Sequence, residues 1–99
     1  MSNQDTIQTI LTERGSRYGK FEDHANITQQ LKKTSNLFTH TVHGKNLHQH
    51  LSESQLEALD MIYHKIGRIL NGDPNYEDSW RDIAGYATLV ADELLNKEQ

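Results

Sequence analysis

The stretch "LSESQLEALDMIYHKIGRILNGDP", Leu51 to Pro74, constrains the fold more than any other. Ser52 and Gln55 stand in capping-box spacing at its start, and Asn71-Gly72 followed by Pro74 stops it, so both ends of a helix are marked. At about 100° per residue, Leu56, Leu59, Tyr63, Ile66 and Leu70 make one apolar arc, while Ala58, Ile62 and Ile69 lie nearly opposite. A helix apolar on two sides must be central, packed within its own chain and, we expect, against a partner. Between the arcs runs a polar edge of Glu53, Glu57, Asp60, His64 and Arg68. Carboxylates on a largely covered helix call for a compensating cation, whether a metal ion or a Lys or Arg side chain.

Three further helical segments surround it, and no strand pattern competes. The first is expected over 6–14, with Ile7, Ile10 and Leu11 at helical spacing and Gly15 as its stop. "GSRYGKF" then reads as a glycine-bounded loop. A second helix is expected over 22–37, carrying Ala25, Ile27, Leu31 and Leu37, followed by a polar, mobile connection over 36–51. The last helix, over about 75–95, has Asn75 as its N-cap and Glu77 and Asp78 in its first turn. Its core face is expected to be Trp80, Ile83, Ala87, Val90, Ala91 and Leu94, with Asp78, Asp82 and Tyr86 on the flank. The expected fold is therefore one all-α domain over residues 1–99, a bundle of about four helices.

Only 34% of the 99 residues are hydrophobic, too few for a thick core in one chain, and self-association follows as an expectation. Without cysteine there are no disulfides or thiolate metal sites, which suits a reducing cytoplasm. The start "MSNQDTIQTIL" lacks a signal-peptide pattern and no segment is apolar enough to span a bilayer, so a cytoplasmic protein is expected. A net charge of −4, with no basic cluster beyond Lys32-Lys33, argues against long nucleic acid as a partner.

If the last two helices pack antiparallel across "NGDPN", their acidic columns can face each other. Glu57, Asp60 and Asp82 then become candidate ligands for magnesium, which takes oxygen donors and substrate phosphates together. Lys65 and Arg68 are candidate phosphate-binding cations, with Arg14 and Arg17 doing the same from the glycine-bounded segment.

The acidic spacing of "EALD" (Glu57 to Asp60), the cations of "HKIGRIL" and then "DSWRDIAGYATL" together resemble the all-α MazG-like nucleoside triphosphate pyrophosphohydrolases and related small phage-encoded nucleotide-modification-associated domains. The likeness spans about 51–95, and "ERGSRYGKFEDHA", Glu13 to Ala25, resembles the opening of those phage proteins. It implies a dimer or tetramer, in the host cytoplasm if phage-encoded. It also implies magnesium-dependent cleavage between the α and β phosphates of a nucleotide. In that reading Glu53 or Asp78 orients the water, and His64, Tyr86 and Tyr18 join the cations at the nucleotide. The second half of the acidic signature departs from the family, with Ser79 and Asp82 where two acids stand, so Asp78 would have to substitute.

Plainer readings stand beside these. The acidic edge could be a solvated helix face, Asp78 could serve only the helix dipole, His64 could hydrogen-bond Asp60, and Tyr63 and Tyr86 could edge the core. His40, His43, His48 and His50 invite a zinc site but lack the fixed helical geometry of strong motifs. Three functions stay open: the pyrophosphohydrolase, a non-catalytic sponge that sequesters a nucleotide or nucleotide-derived signal, and a helical protein-interaction module.

Overall fold

The computed structural model describes residues 3–98, which are helical in five segments: α1 (Asn3–Tyr18), α2 (Phe21–His43), α3 (Leu47–His50), α4 (Glu53–Asn71) and α5 (Glu77–Glu98). No strand occurs among the described residues. The helix α4 is bounded as its sequence requires: Gln55 N–H donates to Ser52 Oγ at 3.1 Å, and Ser52 N–H donates back to Gln55 Oε1 at 2.9 Å. That reciprocal pair satisfies two of the amides orphaned at a helix start.

Three element boundaries differ from expectation. Gly15 does not stop α1; the helix runs on to Tyr18 and ends at Gly19, whose φ of 77° is the left-handed conformation that glycine adopts without strain. Arg17 and Tyr18 are therefore helical, held by Asp73 N–H donating to Arg17 O and by Asn71 Nδ2 donating to Tyr18 O at 2.8 Å. The segment 36–51, expected as an irregular connection, is instead mostly helix. Helix α2 continues to His43 and closes on Gly44, its Thr39 and Thr41 hydroxyls donating to carbonyls four residues back, and Asn36 Oδ1 receives the N–H of Leu47 to seat α3. At the other turn, α5 begins at Glu77 rather than after Asn75: Asn75 lies inside a turn in which Tyr76 N–H donates to Asp73 O and Asn75 N–H to Asp73 Oδ1.

The helices form an open layer rather than a closed bundle. Helix α4 lies in the middle, with α2 along one side and α5 antiparallel along the other, and α2 and α5 do not touch. On the α2 side Tyr63 is buried and donates to Ser35 Oγ at 2.6 Å. Gly67 lets the two backbones close, since a Cβ there would stand 2.7 Å from Thr28 Cγ2 and 2.8 Å from His24 Nδ1. On the α5 side Ala58 is buried, Lys65 pairs with Asp82 at 2.9 Å, and Ser54 donates to Glu93 at 3.2 Å. The Ala58 arc, expected to meet a partner chain, is thus met in part by the chain's own α5.

Helix α5 is also rotated from its expected orientation. It docks through the buried Ser79 and the half-buried Asp82, Ile83, Tyr86 and Val90, while Trp80, Ala87, Ala91 and Leu94 stay exposed. The Lys65–Asp82 pair and the small Ser79 draw the flank inward. Trp80 is held at the turn, its indole N–H donating to Pro74 O at 2.8 Å. Ala58 and Tyr63 are the buried apolar residues among those described; the polar His24, Thr28, Thr39 and Ser79 fill the rest of the contact. No described helix is long and apolar enough to cross a membrane.

Candidate functional site

One edge of α4 changes character along its length. Near its N-terminus, Glu53 and Glu57 share a shallow groove with Tyr86, Leu89 and Glu93 of α5. In the middle, Asp60 pairs with Lys32 at 3.8 Å and His64 meets His24. At the C-terminal end Arg68 enters a pocket roofed by α1. At 1.5 Å per residue, Glu57 and Arg68 are separated by about 16 Å along the helix.

That pocket, of about 410 Å³, is lined by Arg14, Gly15 and Tyr18 of α1, Gly19, Lys20, Phe21 and His24 at the start of α2, and His64 and Arg68 of α4, with Leu11 at its rim. Three cations line it and none of its described lining residues is an acid. The guanidinium of Arg68 lies over the Tyr18 ring, 4.1 Å from its centroid. Such stacking fixes the plane of the fork and leaves its N–H groups to face an anion. The pocket is anchored from below by Asn71 Nδ2, which donates to the carbonyls of Tyr18 and Lys20.

The His24 and His64 rings stand edge to face at 4.6 Å, with His24 Nε2 3.1 Å from His64 Nδ1. One imidazole donates to the other. Burial, then the nearby Arg68, pushes both below the ordinary histidine range, His64 to about 4, with His24, Lys65 and Lys32 adding to the shift on His64. The pair is therefore neutral at pH 7, poised as a donor and acceptor beside the cations. The plainer reading of His64 as a partner of Asp60 is not what the fold shows: α2 gives His64 to His24 and Asp60 to Lys32.

Arg17 lies in the adjoining groove with Arg14, Tyr18 and Arg68. It donates to Tyr76 Oη at 2.9 Å and sits 4.7 Å from that ring's centroid, and Tyr76 donates in turn to Asp78 at 2.9 Å. The Asp78 carboxylate, by accepting a hydrogen bond from the neutral phenol, raises the Tyr76 pKa. Asp78 thus ties the start of α5 to α1, far from Glu53.

Of the residues expected at a nucleotide, Arg14, Arg17, Tyr18, His64 and Arg68 come together at this corner. Lys65 points to α5 and Asp82, and Tyr86 lies in the acidic groove. Glu57, Asp60 and Asp82 face three different neighbours, and among the described residues no three His, Asp or Glu side chains gather as a metal site. In the histidine-rich segment, His43 and His50 stack at 4.3 Å. Lys20, Phe21 and His24 are functional candidates missed in the sequence. The signal for them was Gly19, whose reversal of the chain brings the first turn of α2 over the end of α1.

Compared with known proteins, residues 4–94 match the family described as a domain of unknown function, DUF6378, and the chain belongs to that family. No curated protein and no solved structure is detectably similar to it.

Proposed function

We propose that the chain binds the phosphate of a nucleotide or nucleotide-derived small molecule in the corner pocket. The observation that carries this reading is the convergence of Arg14 of α1, Lys20 at the N-cap of α2 and Arg68 of α4 on a pocket with aromatic walls and no lining carboxylate. Arg68, oriented by Tyr18, grips phosphate oxygens through two donors. Arg14 and Lys20 neutralise charge, the His24–His64 pair supplies a further hydrogen bond, and Tyr18 and Phe21 offer ring faces to a base or sugar.

Retention without turnover fits this arrangement better than cleavage. Glu53 and Glu57 stand about 16 Å or more from Arg68 along α4, Asp82 is paired with Lys65 at 2.9 Å and Asp60 is loosely paired with Lys32 at 3.8 Å. A sponge-like role is thus the first reading. A magnesium-dependent, MazG-like pyrophosphohydrolase is the second, supported by the carboxylates of Glu53, Glu57 and Glu93 around Tyr86. As this chain arranges them, Glu57, Asp60 and Asp82 do not fit a common magnesium ion, and no step is derived through one. The reading also takes the protein as a homo-oligomer, supported by its thin core.

Calorimetry with pyrophosphate and a nucleotide panel, with and without magnesium, tests binding; chromatography of the same mixtures tests cleavage. Retained, unaltered ligand supports the sponge, and released pyrophosphate or monophosphate supports the hydrolase. Absence of binding across the panel overturns both.

A further inference from the structure

The open layer has two faces, and one of them is apolar across all three helices. Helix periodicity turns Ile62 and Ile66 of α4 away from the polar edge. The groove containing Phe38 of α2 with Leu59 and Tyr63 opens on that same side. On α5, Leu89 borders the acidic groove, so the opposite flank, with Trp80, Ala87 and Leu94, continues the Ile62–Ile66 surface. Trp80, Phe38 and Leu94 are 55%, 64% and 45% exposed. At one end α3 packs against α2 and α4, with Leu47 and His50 lining the Phe38 groove; no other described helix meets this face.

We infer that a second copy of this chain packs on the face formed by Phe38, Ile62, Ile66, Trp80, Ala87 and Leu94, giving a two-layer dimer with closed symmetry. This rests on the self-association in the reading above and names its surface. A compact monomer of this mass exposes about 5,800 Å², whereas the chain exposes 7489 Å². The excess is about twice the roughly 800 Å² that each partner contributes to a stable interface. Its Cα radius of gyration of 16.7 Å likewise exceeds the about 13 Å of a compact domain of this length. A second identical layer would cover about half of the excess surface. It matches the face in length and in apolar character, and it leaves both corner pockets on the outer surfaces.

Light scattering on the full chain at micromolar concentration should give about twice the chain mass of 11.4 kDa. Ala87→Glu and Leu94→Glu should each raise the dimer dissociation constant at least about a hundredfold, since each places two like charges in the buried face. Leu89→Glu, on the other face, should leave it unchanged. Both positions for the charges are exposed in one chain, so helicity by circular dichroism should survive in the monomers. The chain has no cysteine, which allows a second measurement: Ala87→Cys should label with maleimide more slowly in the dimer than Leu89→Cys. A monomeric parent overturns the self-association reading itself. A dimer indifferent to both charges, with Ala87→Cys labelling as fast as Leu89→Cys, overturns this face while leaving self-association standing.

Discussion

The two faces of the α2–α4–α5 layer share a central helix but not a chemistry. One side of α4 carries Ile62 and Ile66 beside exposed apolar groups of its neighbours; the other grades from Glu53 and Glu57, through ion-paired and imidazole groups, to Arg68. Apolar area is non-directional, and its affinity scales with what it covers. A pocket of cations and rings acts at named atoms and selects a ligand. One helix can thus serve assembly with one stripe and recognition with the other, and substitutions on either should leave the opposite property intact.

The sharpest way to break that independence is Arg68→Ala. Removing charge-assisted hydrogen bonds of about 1.5–3 kcal/mol each should weaken pyrophosphate or nucleotide binding tenfold or more in calorimetry. The mass by light scattering should not change. Arg68→Lys should recover part of the affinity, because an ammonium lacks the planar fork that stacks on Tyr18. Parental affinity in Arg68→Ala for every ligand would remove the corner pocket as the site.

Gly67→Ala probes the contact that builds the pocket wall. The added Cβ would crowd His24 and Thr28, and relieving that overlap should cost about 1–3 kcal/mol, set against up to about 1 kcal/mol of improved helix propensity. A lowered melting temperature together with weaker phosphate binding is expected, since α2 and its N-cap carry Phe21, His24 and Lys20. An unchanged melting temperature would show that α2 shifts freely on α4.

Much of the frame was legible in the sequence. The capping box at Ser52 and Gln55 and the stop at Gly72 fix α4 by local chemistry alone, and its three-fold character, apolar on two sides with a polar edge between, shows in periodicity. Helix ends set by distant contacts were not legible: Gly15 looks like a terminator until Asn71 and Asp73 bind the carbonyls of Tyr18 and Arg17 and carry α1 past it. Nor was the rotation of α5, because Trp80 and Leu94 outweigh Ser79 and Asp82 in any hydropathy pattern of one chain. The site was half legible. Arg68, Arg14 and Arg17 are legible as phosphate candidates, but only the fold of α1 onto α4 brings Arg14, Tyr18 and Arg68 into one pocket.

The histidine pair sharpens the polar side through pH. His24 and His64 are both lowered in the folded chain, His64 to about 4, so the unfolded chain takes up protons first as pH falls below about 6.5. Their contribution to stability is fully present above that value and is lost as pH falls toward about 4. Beyond burial, Arg68 opposes protonation of both rings, and Lys65 of α4 and Lys32 of α2 add to it at His64. A bound phosphate offsets them, so binding near pH 6 should take up protons, measurable by calorimetry in buffers of different ionisation heat. Binding heats independent of buffer would detach the pair from the pocket. His64→Gln should flatten the acid limb of the stability profile.

The smallest effect expected is at Asp60, and it decides between two accounts of the middle of α4. Asp60 and Lys32 are 3.8 Å apart with their side chains 37% and 38% exposed, a loose pair in contact with solvent. Exposed pairs of this kind contribute within about 1 kcal/mol and weaken with salt. Asp60→Asn should therefore move the melting temperature slightly, less so in high salt, and leave phosphate affinity, dimer mass and the response to magnesium alone. Lys32→Met should give a similarly small shift, and the double variant should be no less stable than the sum of the two. If magnesium instead stabilises the parent and Asp60→Asn abolishes that response, Asp60 exchanges Lys32 for the metal, and the polar face carries hydrolytic machinery as well as a phosphate pocket.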